Sequence, residues 1–226
     1  MTDMTPAHPH ASGPLLILVG SPRRDGNSAV LAQAVRRGAE QAGTPVKLRF
    51  LDDYIGGLLR DCRQCRRADG SCGIDDGYGA LLRDDFLPAA GVVFCSPIYW
   101  YGMSAQTKAF FDRMFCYYAA SHPDSADVLA RMGRKRLGLV LASEESYGGA
   151  ALGIVHQLQE YARYTHSELV GVVRGTGNRR GEVVRDPAGA VAEAERLGTE
   201  LFDRRYSDYL IDTPRDTRVW AVEQPA

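Results

Sequence analysis

Three short stretches of this chain concentrate the groups that do chemistry. The first, residues 20–28 (GSPRRDGNS), follows the apolar run 15–19 and precedes an amphipathic run, 29–42. A buried strand that feeds a glycine-containing loop and a helix N-terminus presents backbone N–H groups to an anion. Ser21, Arg23, Asn27 and Ser28 add hydroxyl, guanidinium and amide donors, so the loop reads as a phosphate cradle, with Asn27 and Ser28 also placed to cap the helix. It has neither the G-x-x-x-x-G-K-[ST] nor the G-x-G-x-x-G spacing, which sets aside nucleoside triphosphatases and the dinucleotide fingerprint. An ordinary capped turn is the competing reading. The second stretch, residues 96–108, is SPIYWYGMSAQTK. Tyr99, Trp100 and Tyr101, set between Pro97–Ile98 and Gly102, suit a planar ring that gains from stacking and exclusion of water, or else a hydrophobic corner or subunit contact. The third, residues 143–149, is SEESYGG; Tyr147 and Gly148 are placed to line a ring, and Glu144 and Glu145 to pair with polar ligand groups or with the first loop's arginines, or else to form a solvated acidic turn.

Positioning these loops requires alternating strands and helices. Apolar runs predict strands over 15–19, 46–51, 91–95, 136–142 and 169–173. Helical spacing predicts helices over 29–42, 75–87, 104–119, 149–166 and 187–205, the last with Asp186 as N-cap and Pro187 at its first position. Alternation of this kind gives an α/β fold: a doubly wound, five-stranded parallel sheet covered on both faces. Right-handed crossovers and five strands fit the flavodoxin-like order 2-1-3-4-5. Ligands then bind beyond the carboxyl ends of the strands, at the switch point between strands 1 and 3, where all three loops meet. A phosphate cradle beside an aromatic, backbone-rich wall describes a mononucleotide with a flat, hydrogen-bonding ring, and FMN matches it. The domain spans 14–205, between a disordered tail (1–13) and a polar C-terminal extension (206–226).

Charge is balanced, 27 Lys and Arg against 28 Asp and Glu. Neither a nucleic-acid footprint nor an acidic, disordered composition is present. No segment reads as a signal peptide or a membrane span, so a cytoplasmic protein is expected. His8 and His10 belong to the tail, and His156 and His166 read as structural.

GSPRRDGNS and SPIYWYGMSAQTKAFFDR closely resemble the two signatures of the NAD(P)H-dependent FMN reductase family, of flavodoxin-like fold, over residues 14–200. The resemblance implies that Ser21, Arg23, Asn27 and Ser28 hold the FMN phosphate. It implies that Pro97, Ile98, Tyr99, Trp100, Tyr101 and Gly102 lie against the isoalloxazine, with Ser146, Tyr147 and Gly148 bordering it. It further implies NAD(P)H as co-substrate, with hydride passing to flavin N5 and on to a small acceptor: a quinone, flavin, nitro or azo compound, or pathway metabolite. No side chain is assigned as an acid or base. A homodimer or homotetramer is the expected assembly, with the aromatic helix 110–118 and the tail around Trp220 suited to the interface. A flavodoxin-type electron carrier is the alternative, though such carriers tend to be strongly acidic.

The five cysteines, Cys62, Cys65, Cys72, Cys95 and Cys116, do not suggest a disulfide framework. The segment DCRQCRRADGSCGIDDGY resembles the cysteine loop of iron–sulfur flavoproteins, a further alternative, but Ala68 stands where the third cysteine belongs. A [4Fe–4S] cluster normally wants four thiolates. Cys95 on a core strand and Cys116 on a helix are poor candidates to supply the fourth. The loop is therefore read as a remnant with no metal, ahead of zinc on three cysteines or a redox-active Cys62–Cys65 pair.

Overall fold

The computed structural model describes residues 13–204. The expected tail through residue 12 and the extension from 206 lie outside the described residues. Strands β1 (Leu15–Val19), β2 (Val46–Phe50), β3 (Gly91–Tyr99), β4 (Gly102–Met103), β5 (Arg136–Ser143) and β6 (Glu168–Thr176) form one sheet. Five run parallel in the order β2-β1-β3-β5-β6, and β4 folds back antiparallel on β3. The five parallel strands therefore have the expected flavodoxin-like order, and β4 is an addition.

Every β1 residue is buried because both faces of the strand are covered. Leu16 and Leu18 point to a core closed by α2 (Tyr78–Ala80, continuing as a π-helical stretch Leu81–Phe86), α3 (Ala105–Tyr118) and α5 (Leu152–Tyr164). Leu15, Ile17 and Val19 face α1 (Asn27–Gln41) and α6 (Ala190–Glu200). A short α4 (Ser125–Arg131) occupies part of the stretch that composition alone would leave as loop.

Helices α1 and α6 touch backbone to backbone. A Cβ at Gly38 would lie 1.9 Å from the Glu195 carbonyl oxygen, and one at Gly198 would lie 2.0 Å from that of Val35. The β6–α6 connection lies over the start of α1, which matters for the site.

Some helix starts differ from expectation. The last helix begins at Ala190, after Gly189 at φ 72°, and not at Pro187. The Asp186 carboxylate is used elsewhere: it accepts from the N–H of Thr176 at 2.7 Å and of Ala188 at 2.9 Å, tying off the end of β6. The α1 N-cap is Gly26 rather than Asn27 or Ser28, and no side chain caps it. The aromatic face of α3 is largely core: Phe110 and Tyr117 are buried, and Phe115 is exposed.

Candidate active site

Strand lengths create the cleft. β1 stops at Val19, opposite Cys95, while β3 continues alongside β5 to the Pro97–Ala142 pair. Beyond Cys95 the β1 side of β3 is open, so Pro97, which has no N–H, costs no ladder bond there. The gap is occupied by the loop that leaves Gly20.

Ser104 fixes that loop to α3. It is fully buried, and its Oγ caps the helix by accepting from the Thr107 N–H at 3.3 Å. Its single hydroxyl proton goes to the Gly20 carbonyl at 2.7 Å. The Thr107 hydroxyl, 2.9 Å away, must then be the donor to Ser104 Oγ. Ser96 Oγ in turn donates to the Pro97 carbonyl and accepts from the Ser104 N–H. A side chain at Gly20 would not fit, since its Cβ would fall 1.9 Å from Thr107 Oγ1.

The resulting cleft is lined by Ser21, Arg23, Asn27 and Ser28, by Pro97, Ile98 and Tyr99, and by Ser143 and Glu144. Residues from all three predicted loops thus meet at the switch point. A fourth loop, residues 177–180 after β6, completes the lining with Arg179 and Arg180. The sequence does carry a signal for it, the run GNRRG, but does not say that it lies over the cleft. Asn27 forms the latch: Nδ2 donates to the Gly177 carbonyl at 2.8 Å, and Oδ1 accepts from the Val183 N–H at 3.1 Å.

The cleft's chemistry is that of an anion site. α1 starts without a side-chain cap and with no acidic residue in its first turn, so its first N–H groups lack the partner that Ser104 gives α3. Arg24 pairs with Asp53 and Arg180 with Asp25. Arg23 and Arg179 have no carboxylate within salt-bridge distance among the described residues, although Arg179 helps lower the nearby Glu182 carboxyl. The enclosed space is about 120 Å³, enough for a phosphate-sized head, with the rest of a ligand on the rim.

The rim is aromatic and strained. Tyr99 pairs with Gly102 across a two-residue turn, Trp100–Tyr101, and both turn residues have positive φ, 49° and 61°. This left-handed geometry suits a tight hairpin but normally calls for Gly or Asn. Trp100 is 97% exposed. The Tyr101 hydroxyl lies close enough to that of Tyr147 to raise its pKa above the ordinary value, which sets the third loop beside the second. Arg174 holds the Tyr147 carbonyl at 3.1 Å. Trp100, Tyr101, Gly102, Ser146, Tyr147 and Gly148 are therefore rim residues rather than part of the enclosed cleft.

The sequence profile of the NADPH-dependent FMN reductases matches residues 14–171. The chain belongs to this family. YwqN of Bacillus subtilis, which carries the name of an NAD(P)H-dependent FMN-containing oxidoreductase, is 26% identical over 81% of this chain and 95% of its own. The iron–sulfur flavoprotein MJ1083 of Methanocaldococcus jannaschii is 31% identical over 42% of this chain and 48% of its own. Among solved structures, a flavodoxin, WrbA-like protein from Agrobacterium tumefaciens superposes with a TM-score of 0.53 at 19% identity, covering 85% of this chain and 96% of that one. This FMN reductase family member is thus an oxidoreductase of flavodoxin-like fold, with FMN as cofactor and NAD(P)H as co-substrate. No helix among the described residues is long and apolar enough to cross a membrane.

In this member of the family the cysteine loop is anchored by an ion pair. Arg113, 1% exposed, forms a two-pronged pair with Asp76, donates to the Gly57 carbonyl and lies over the Tyr78 ring at 4.5 Å. Burial pushes the Asp76 carboxyl up, but Arg113 and the N–H groups of Gly56 and Tyr78 outweigh that and leave it below the ordinary value. Cys62, Cys72 and Cys116 are buried in the core, and after burial itself the neighbouring Cys62 helps raise the Cys116 thiol, so Cys116 is closer to the loop than its place on a helix suggests. Among the described residues no three His, Cys, Asp or Glu side chains converge as a metal site.

Proposed function

We propose that the protein oxidises NAD(P)H and reduces a small planar acceptor, such as a quinone, flavin, nitro or azo compound, in two half-reactions at one site. The observation that carries this is the uncapped start of α1, flanked by Ser21, Arg23 and Arg179, beside the aromatic rim at Tyr99. Those donors fit a phosphate dianion, and the rim fits a flat ring. FMN, when bound, would supply the redox chemistry, as a two-electron carrier between the nicotinamide and the acceptor.

The chain's own residues bind and orient. The first N–H groups of α1, Ser21 and the Arg23 and Arg179 guanidiniums hold the phosphate. Asn27 has spent Oδ1 and one amide hydrogen on the β6–α6 connection, so its main contribution is to keep that connection closed. Pro97, Ile98 and Tyr99 form the wall nearest the ring. Trp100, Tyr101 and Tyr147 shield the approach and leave one side open to substrate. Glu144, at the cleft edge, meets polar substrate groups and disfavours a second anion there.

The test is direct. The purified full chain should show flavin absorbance, bleach under NADPH without oxygen, and regain colour with a quinone. A colourless protein that fails to take up added FMN sinks the reading. Slow bleaching by NADPH together with fast reduction by a partner reductase would favour an electron carrier instead.

A further inference from the structure

A second basic cavity lies apart from the flavin cleft. It is formed where the cysteine loop crosses the C-terminal end of α3, and it is lined by Arg63, Arg66, Arg67, Asp69 and Phe115 among others. Its volume is about 540 Å³, within the range that holds small organic ligands. It shares no lining residue with the flavin cleft.

Charge is the first argument. Three guanidiniums face one carboxylate, a net charge of plus two. Asp69 is already engaged, accepting from the Ser71 N–H at 2.9 Å. Arg63 and Arg67 have no ion-pair partner within salt-bridge distance among the described residues. The carboxyl end of α3 carries about half a negative charge, which offsets only part of this excess.

Preorganisation is the second argument. Arg66 Nε donates to Cys62 Sγ at 3.3 Å, and its Nη1 bonds Ser121 Oγ. These contacts hold the guanidinium in place, so a ligand need not pay to order it. Gly70, at φ 84°, lets the loop press against α3's exit, where a Cβ would fall 1.8 Å from the Ser121 carbonyl oxygen.

The third argument is the ring. Phe115 is 41% exposed, although its helix is otherwise lined with core aromatics, and a T-shaped contact with Tyr118 at 5.6 Å fixes its orientation. Arginines beside an exposed, oriented aromatic ring select an anion that carries a planar group.

We propose that this cavity is a second binding site, for a nucleoside 5′-phosphate, with the phosphate on Arg63, Arg66 and Arg67 and the base on Phe115. It does not depend on what occupies the flavin cleft.

The experiment uses the full chain saturated with FMN and titrated with AMP by calorimetry, with adenosine and inorganic phosphate as separate probes. AMP should bind with a Kd below about 1 mM, and each fragment should bind at least about tenfold more weakly. The double variant Arg63→Gln/Arg67→Gln should reduce AMP affinity at least about tenfold, Phe115→Ala should do likewise, and Arg179→Gln in the flavin cleft should leave it unchanged. Thermal melting checks that each variant is folded. Should Phe115→Ala melt early, the exposed reversal Arg67→Glu replaces it and should abolish binding. Absence of AMP binding up to about 10 mM overturns the proposal. So does an affinity indifferent to the loop arginines, or one that moves with Arg179→Gln. Phosphate binding as tightly as AMP would reduce the site to a simple anion hole and overturn the nucleoside assignment.

Discussion

Replacing Ser104 by alanine tests how the cleft is assembled. The side chain has two roles. As N-cap of α3 it satisfies the Thr107 N–H, and losing a serine cap to alanine costs about 1 kcal/mol. As a donor it satisfies the buried Gly20 carbonyl, and stranding a buried acceptor costs about 1–3 kcal/mol. Ser104→Ala should therefore destabilise by roughly 2–4 kcal/mol, read as a lower denaturant midpoint with an unchanged slope. Glycine is a good cap only where water reaches the freed N–H, and this site is fully buried, so Ser104→Gly loses both the cap and the Gly20 bond. It should lose about as much as the alanine variant, roughly 2–4 kcal/mol. Both variants free the 20–28 loop from α3 and should weaken FMN binding about tenfold, measured by flavin fluorescence quenching. Gly20→Ala attacks the same junction from the other side through the clash with Thr107 and should give the same combined loss. A Ser104→Gly protein of wild-type stability and FMN affinity would show that the Ser104–Gly20 bond carries nothing, and the account of the cleft's assembly would fall.

Four further outcomes are expected. Arg179→Gln should weaken FMN by about tenfold yet leave riboflavin, which has no phosphate, nearly unchanged; equal losses for both would refute a phosphate role. Trp100→Gly removes one left-handed non-glycine residue whose side chain is almost wholly exposed, so the domain should gain about 1 kcal/mol in urea melts while turnover with a planar acceptor falls. Asp76→Asn leaves the buried Arg113 without its carboxylate and should cost about 3–5 kcal/mol; in the parent, the stability given by the lowered carboxyls of Asp76 and Asp85 is present above pH 4 and lost as pH falls below their ordinary range. Burial, with Arg131 nearby, lowers the Lys135 pKa to about 8, so between pH 8 and 9 the unfolded chain binds more protons and stability should rise, by about 1 kcal/mol. Lys135→Met should flatten that rise, and above pH 9 the slope reverses, because burial holds the Cys95 and Cys116 thiols, and above pH 10 the Tyr117 hydroxyl, protonated in the folded chain.

The fold was legible because its signals are local and repeated. Apolar runs mark strands that are buried on both faces, and the helices between them keep an amphipathic period, so alternation gives the parallel sheet, and right-handed crossovers with five strands favour its order. The three loops of the cleft were legible because strand order brings them together whatever their contacts. What sequence hid depends on distant geometry. The 177–180 loop is held at the cleft by Asn27, and the helices on either side of it pack backbone to backbone at Gly38 and Gly198. Asp186 looked like a cap because it precedes a proline, yet its carboxylate found backbone donors at the end of β6 first. Cys116 looked remote from the cysteine loop, since spacing along a helix does not say what folds onto it.

The flavin cleft is also the place where the chain leaves its own interactions incomplete. α3 is capped by a buried serine, whereas α1, which opens on the cleft, is not. Arg24 and Arg180 find carboxylates, and the two arginines that remain line the cleft. The adjoining Trp100 and Tyr101 both have positive φ, at the hairpin that forms the rim. Each of these features costs stability in the protein alone, and a bound phosphate with an attached ring would offset the first two directly. Strain is retained where surrounding structure over-determines it, and here the β3–β4 pairing does so. If this view is right, FMN should raise the melting temperature more in the parent than in a variant whose α1 is given its own cap, Gly26→Asp, because that carboxylate occupies the same N–H groups and repels the phosphate. An equal FMN-induced shift in both proteins would mean that the uncapped helix start is not where the phosphate sits.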